Sequence, residues 1–155
     1  MLRSMTGFGS GSATGAGADV RVELRAVNHR FLQVKLRLPN DLSVLEGDFE
    51  GRAKKRLARG ALNGSVVVEA SDAESAVSID MDAATRLFGE LERVGATLGL
   101  EQRPTLSELL TLPGVLRSAA QTRDLEALAQ AASAAFDQAL EALVAMRERE
   151  GRALA

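Results

Sequence analysis

The segment RAVNHRF, residues 25–31, contains His29, the one histidine of the chain. An imidazole can accept or donate a proton near neutral pH, so His29 is a candidate general acid or base, with Asn28 beside it. Arg25 and Arg30 flank the pair and could hold an anionic group. Asn and His also tolerate the left-handed backbone of a tight turn, and the residue types alone favour that role. Catalysis, anion binding and turn formation therefore remain three open interpretations of this corner.

Cationic residues cluster in two further places that could follow a phosphate backbone. Residues 19–27 and 31–38 alternate apolar and polar side chains, which predicts strands with a charged side. That side carries Arg21, Arg25, Lys35 and Arg37. The segment RAKKRLAR, residues 52–59, has more basic residues than a helix C-terminus requires, and we add Lys54, Lys55, Arg56 and Arg59 to the candidates. We predict that both groups share one exposed surface, against the alternative of ordinary solvated faces.

Other chemistries receive less support. The glycine-rich segment 7–17 has the glycine spacing of a nucleotide-binding loop, but such a loop follows a strand and opens a helix, whereas here a strand follows. We interpret its glycines as residues that permit unusual dihedral angles in a turn. The chain has no Cys, which excludes disulfides and thiolate metal sites. Asp80 and Asp82 could bind a divalent ion, but their position favours helix capping.

Alternation and helical spacing predict the elements that position these residues. Strands 19–27 and 31–38 are separated by few residues, so we expect them to pair as an antiparallel hairpin. A helix capped by Asn40 or Asp41 should follow and stop near Gly60. The remaining predicted elements are a first strand at 2–9, strands at 63–70 and 76–80 joined by a turn at 71–75, a helix at 82–98, a short helix opened by the capping box at 105–108, and a long helix from about Thr122.

Strands, a helix, strands and helices in this order predict an α+β fold, an antiparallel sheet with packed helices and a long C-terminal helix. The last helix shows no clear stop before Ala155, so we expect the natural protein to continue. The expected organisation is an α+β domain over 1–120, with 121–155 as the start of a helix leading into an absent second half.

Composition narrows the class of protein. The sequence of 155 residues is 46% hydrophobic and 26% charged, and it contains no apolar run long enough to span a membrane. The start, MLRSMTGFGSG, lacks the long apolar segment expected of a secretory signal. We expect a cytoplasmic protein. Residues 1–60 carry 11 Lys and Arg against 6 Asp and Glu, whereas residues 61–155 carry 8 against 15. A basic first part suggests a polyanionic partner, although surface charge bias is also common in proteins without one.

Three segments resemble the N-terminal half of the bacterial YicC/YloC family: MLRSMTGFG at the start, VELRAVNHRFLQVKLRLP, and LSVLEGDFEGRAKKRLARG. TLPGV and MREREGRAL fit the later part of that half, so the resemblance covers the whole chain. Two departures stand out. After ARG the family usually runs directly into a KVEV-like strand, whereas ALNGSVVV intervenes in this sequence. Some relatives also carry Gln at the position of His29.

The resemblance implies an endoribonuclease that cuts RNA internally, forms homo-oligomers, namely hexamers, and depends on a divalent metal, Mn or Mg. Members are about twice this length, and the carboxylates that hold the metal could lie in their second half. From the family's opening motif we add Arg3, and from its second motif Arg30, to the RNA-binding candidates. Asn28 and His29 are assigned to substrate contact first and catalysis second. The alternative is an RNA-binding and oligomerisation module without its own active site.

Overall fold

The computed structural model of the chain describes residues 6–70, 77–118 and 124–154. They fall into two compact units, one formed by Met1–Ser71 with Arg123–Ala155 and the other by Asp72–Thr122. The α+β class is confirmed, with a mostly antiparallel four-stranded sheet packed against helices. No helix in the described part of the chain is both long and apolar enough to cross a membrane.

The first unit is a sheet with helices on one side. Its strand order is β1-β2-β4-β3. Its elements are β1 (Gly7–Gly15), β2 (Ala18–Val27), β3 (Leu32–Arg37), a 3₁₀ helix (Asn40–Leu45), α1 (Glu46–Arg56), β4 (Gly60–Ala70) and α4 (Leu125–Ala153). Buried residues of α1 and α4 share one core with the inward residues of β2 and β4, so both helices cover the same face of the sheet. The predicted long C-terminal helix is confirmed as α4.

The predicted hairpin between residues 19–27 and 31–38 is wrong, because β4 lies between the two strands. β4 pairs antiparallel with β2 and parallel with β3. The four residues of the 28–31 connection can extend over roughly 13 Å. That length exceeds the separation of about 10 Å between strands two places apart. The short connection therefore permits either arrangement, and local sequence does not choose between them.

Gly64 shows how the sheet accommodates β4 at its centre. On the inward face it lies between Leu24 of β2 and Leu36 of β3 in register. A Cβ built on Gly64 would lie 2.6 Å from a methyl carbon of each leucine. The two leucine side chains therefore occupy the space that a side chain at position 64 would need, which joins the three strands in one row of the core.

The glycines of β1 serve close packing against α4, which corrects their interpretation as turn residues. Gly7, Gly9, Gly11 and Gly15 belong to the strand, and the turn that follows consists of Ala16 and Gly17. A Cβ on Gly11 would overlap the carbonyl oxygen of Ala135 and lie 2.8 Å from the nitrogen of Ala139. The backbone of α4 therefore lies directly on the strand, which only glycine permits.

The entry to α1 also differs from its prediction. The chain first forms the 3₁₀ helix, and α1 begins at Glu46 with no capping side chain from Asn40 or Asp41. Leu42 of the 3₁₀ helix is buried in the core. Within α1, the ring of Phe49 stacks on Phe136 of α4 with centroids 4.3 Å apart, which joins the two helices.

The second unit contains β5 (Val77–Ile79), α2 (Met81–Thr97), α3 (Leu106–Leu110) and β6 (Leu116–Ser118). The predicted strand at 76–80 is present as β5, paired with β6, a strand that the sequence reasoning missed. The predicted turn at 71–75 lies outside the described residues. The two predicted helices and the capping box of Thr105 and Glu108 are confirmed. A small core around Ala84, Leu109 and Val115 holds this unit together.

Candidate functional site

The face of the four-stranded sheet that points away from α1 and α4 is called the outer face here. Alternation along each strand buries one side and exposes the other. The exposed side of β2 and β3 carries the four predicted strand cations. The outer face consists of Phe8, Ser10, Ser12 and Thr14 of β1, Asp19, Arg21, Glu23, Arg25 and Val27 of β2, Ala61, Asn63, Ser65, Val67 and Glu69 of β4, and Gln33, Lys35 and Arg37 of β3.

Strand register arranges these side chains in rows across the sheet. One row runs Phe8, Arg25, Asn63, Lys35, and the next runs Ser10, Glu23, Ser65, Arg37. The insertion of β4 therefore separates the cations of β2 from those of β3 by a polar residue. This spacing removes the like-charge opposition that a direct pairing of β2 with β3 would produce.

The four strand cations form no ion pairs with the described part of the chain, so their charges can interact with a bound anion. Among residues 6–70, 77–118 and 124–154, no carboxylate lies within ion-pair distance of Arg21, Arg25, Lys35 or Arg37. Glu23 interrupts the group, and Asp19 faces Glu69 at the far end of the sheet. A groove of about 360 Å³ lies between the cations, and its lining residues are Glu23, Arg25, Lys35, Leu36, Arg37, Asn63, Gly64 and Ser65.

Two exposed aromatic rings accompany the cations. The Arg25 guanidinium carbon lies 5.7 Å from the centroid of the Phe8 ring, which is 39% exposed. The Arg30 carbon lies 5.5 Å from the centroid of Phe31, which is 65% exposed. Phe8 lies on one edge strand, and Phe31 directly precedes the other. Each guanidinium therefore lies over an aromatic ring whose residue stays partly exposed to solvent.

The 28–31 corner connects β2 to β3 at one end of the sheet. The Nδ1 atom of His29 lies 2.9 Å from the carbonyl oxygen of Phe31 and 3.2 Å from its amide nitrogen. Either tautomer of the ring therefore hydrogen bonds to the backbone and fixes the corner. Within the described part of the chain, Nε2 of His29 has no partner, and Asn28 is exposed.

The structure does not place the helix cations beside the strand cations. Lys54 and Arg56 belong to α1, in the helix layer on the other side of the sheet from the outer face. Lys54 pairs with Glu50 at 2.6 Å, and Arg56 pairs with Glu141 of α4 at 2.5 Å. Lys55 and Arg59 are exposed, and Arg3 lies outside the described residues. The expected single cationic surface is therefore divided into a strand group and a helix group.

The Arg56–Glu141 pair links α1 to α4 and changes the pKa of both groups. Its hydrogen bond, together with the opposite charge, lowers the pKa of the Glu141 carboxyl and raises the pKa of Arg56. Arg52 strengthens the same contact, because its guanidinium donates to Ser133 and pairs with Asp137 at 3.2 Å. These interactions assign Arg52 and Arg56 to helix packing.

Asp80, one of the two carboxylates considered for a metal site, caps a helix. Asp80 caps α2 by accepting from the amide of Ala83 and pairs with Arg117 at 2.6 Å, which confirms the capping interpretation. The Ala83 hydrogen bond, with the Arg117 charge, lowers the pKa of Asp80. No three His, Asp or Glu side chains of the described segments are grouped closely enough to hold a metal ion together.

Comparison with known proteins identifies the family. Residues 2–155 match the family described as "Endoribonuclease YicC-like, N-terminal region". This chain belongs to the YicC-like endoribonuclease family. It is 32% identical over 155 residues to a protein of Haemophilus influenzae named "Probable endoribonuclease YicC", covering 99% of this chain and 53% of that protein. A Clostridioides difficile protein of the same name is 24% identical over 156 residues, with coverage of 100% and 53%.

The match to the YicC-like N-terminal region confirms the resemblance carried by the three motif segments. The chain spans about half the length of the curated relatives it matches. The sequence reasoning assigned neither Asn63 nor Ser65 to this surface of the YicC-like domain. Their signal was present, since alternation along NGSVVVEA places Asn63 and Ser65 on the side opposite Leu62 and Val66.

Proposed function

We propose that this YicC-like domain binds RNA on the outer face of its sheet and forms the N-terminal part of an endoribonuclease. The observation that carries the proposal is the set of four exposed strand cations without an acidic partner in the described segments. Family membership supports RNA as the polyanion. A phosphate backbone would supply an anionic partner for these four cations.

Salt-dependent binding tests this surface. Each phosphate neutralised by a cation contributes about −0.7 to the slope of log affinity against log salt for single-stranded nucleic acid. A Lys35→Gln, Arg37→Gln double variant should therefore bind RNA more weakly and reduce the magnitude of that slope by about 1.4. Fluorescence anisotropy with a labelled RNA over a series of salt concentrations gives both quantities.

A Lys54→Gln, Lys55→Gln double variant is the matched control, because it removes the same charge from the helix layer. We expect it to bind RNA with nearly the affinity and slope of the unchanged domain. If the helix variant loses affinity and the strand variant does not, RNA binds to the helix group and the outer-face assignment is wrong. If the unchanged domain does not bind RNA at low salt, the proposed function itself fails.

For cleavage we propose a role for the 28–31 corner. Nε2 of His29 would accept the proton of a ribose 2′-hydroxyl while that oxygen bonds to phosphorus and the bond to the 5′-oxygen breaks, with water protonating the leaving oxygen. Asn28 would donate its amide to a phosphoryl oxygen. The products would carry 2′,3′-cyclic phosphate and 5′-hydroxyl ends. Attack by an activated water would instead leave a linear phosphate, so end analysis distinguishes the two routes.

The comparison of His29→Ala with His29→Gln tests this role. Both variants should lose cleavage if the imidazole moves the proton, and each should retain RNA binding. Retained cleavage in the glutamine variant would restrict His29 to holding the corner and the substrate. The assay is run on this chain and on a full-length relative in parallel, because the activity of the whole protein is part of the proposal.

A second candidate is an RNA-binding and oligomerisation module whose active groups lie elsewhere. The hydrogen bonds of His29 to the Phe31 backbone favour it, because they give the ring a structural task. Salt-sensitive binding by this chain without cleavage, alongside cleavage by the full-length relative, would support the module. Dependence on Mn or Mg, hexamer formation and a cytoplasmic location stay predictions. Chelation in the cleavage assay, sedimentation analysis and cell fractionation test them.

A further inference from the structure

The Arg25–Phe8 pair is the feature of the outer face that phosphate binding leaves unexplained. The Phe8 backbone is anchored from the helix side, because its amide donates to the sulfur of Met146 at 3.2 Å. The ring nevertheless lies on the outer face, 39% exposed, with the Arg25 guanidinium against it. An exposed aromatic ring costs hydration free energy, so a partner that covers it would be favoured.

We infer that Phe8, supported by Arg25, is a stacking site for an unpaired base on the outer face. This inference rests on the proposed RNA binding and names the form of RNA that is bound. Base stacking on an aromatic ring is strong and tolerates any base, since every base has a π-surface. In an A-form duplex the bases stack on one another and the major groove is too deep and narrow for side chains.

The row that begins at Phe8 shows what would accompany the base. Arg25, Asn63 and Lys35 follow Phe8 in register across the sheet. Three strand spacings make this row about 14 Å long. A base stacked on Phe8 would place the following phosphates over Arg25 and Lys35, with the Asn63 amide between them as a donor.

The Arg30–Phe31 pair repeats the same chemistry at the other edge of the sheet. Phe31 is 65% exposed and directly precedes β3. A single strand that crosses the sheet from Phe8 toward the 28–31 corner therefore meets an aromatic ring at each side and cations between. A continuous duplex cannot bring its bases to either ring.

Three labelled probes of equal strand length separate stacking from phosphate contacts: a single-stranded RNA, an abasic sugar–phosphate oligonucleotide, and a duplex RNA. The chain should bind the single strand more tightly than the other two. Phe8→Leu keeps an apolar side chain but removes the ring, and it should weaken single-strand binding about tenfold. Its affinity for the abasic oligonucleotide should not change. Phe8→Tyr, the matched control, keeps the ring and should bind like the original chain.

The outcomes distinguish this inference from the proposal beneath it. If the chain binds all probes equally, or prefers the duplex, base stacking is refuted while RNA binding stands. The same conclusion follows if Phe8→Leu binds the single strand as tightly as the unchanged chain does. If the chain binds no probe at low salt, RNA binding fails and the inference fails with it. Circular dichroism confirms that both variants are folded.

Discussion

Replacing Gly11 with alanine tests the contact between β1 and α4, on which the arrangement of the outer face depends. The added Cβ would overlap the Ala135 carbonyl oxygen and lie 2.8 Å from both the Ala139 nitrogen and the Gln138 Cβ. Two of these three neighbours are backbone atoms of a continuous helix of 29 residues, so no side-chain rotation can relieve the overlap. The helix must move away from the strand.

The energetic cost follows from that movement. A gap of about 0.5–1 Å already forfeits a quarter to a half of the dispersion energy at each contact. Gly7, Gly9 and Gly15 lie against the same helix, so their contacts would loosen together. Overpacking of a core costs about 1–3 kcal/mol, and a clash with backbone places Gly11→Ala at about 3 kcal/mol or more. That is a large part of the roughly 5–15 kcal/mol that stabilises a typical domain.

Gly51→Ala is the matched control for the same chemical change. Gly51 lies inside α1, and an added Cβ meets no atom within 4 Å. Alanine should stabilise the helix by about 0.5–1 kcal/mol, because glycine loses more backbone entropy on folding. The two Gly→Ala changes should therefore shift the free energy of unfolding in opposite directions, so that the two variants differ from each other by about 4 kcal/mol.

Urea denaturation followed by far-ultraviolet circular dichroism measures both effects, since the chain has neither Trp nor Tyr for intrinsic fluorescence. Gly11→Ala should lower the denaturation midpoint and Gly51→Ala should raise it, each without a large change in the slope. A Gly11→Ala protein within about 0.5 kcal/mol of the original would refute the close packing of α4 on β1, because surface changes produce effects of that size.

Two further predictions concern the contact between α1 and α4. Folding lowers the pKa of Glu141 from the ordinary carboxyl pKa of 4.5. The pair with Arg56 therefore stabilises the fold fully at pH values above 4.5, and this stability is lost as the pH falls through the lowered pKa of the folded state. Glu141→Gln should thus reduce the loss of stability on acidification, measured by urea melts at several pH values; an unchanged pH profile would contradict the pair. Phe49→Ala removes a fully buried ring stacked on Phe136 and should cost about 3–5 kcal/mol in the same melts. A cost below about 1 kcal/mol would mean that α1 does not pack there.

Local patterns in the sequence determined strands β2 and β3, the faces that these two strands bury, and the helices α2, α3 and α4. Alternation in residues 19–27 and 31–38 predicts both strands and places Arg21, Arg25, Lys35 and Arg37 opposite the apolar residues, as the structure has them. The capping box of Thr105 and Glu108 is likewise readable from spacing. These features depend on neighbours within a few residues along the chain, so the sequence contains them in full.

Pairing between strands required the tertiary structure. The alternation of β2 and β3 fits a hairpin and fits equally well the observed sheet with β4 between them, because both arrangements bury the same side chains. The choice depends on Gly64, whose missing side chain makes room for Leu24 and Leu36, and on residues that are distant along the chain. Such complementarity cannot be recognised before the strands are placed together.

The candidate site divides in the same way between sequence and structure. Strand periodicity alone places the strand cations on one face, but only the packing of α1 against α4 decides that Lys54 and Arg56 lie on the other side of the sheet. Glycine at positions 7, 9, 11 and 15 is visible in the sequence as a stripe of small residues. The structural role of these glycines depends on helix α4, which follows more than a hundred residues later. Close packing requires two complementary surfaces, and these two surfaces come from segments that are distant along the chain.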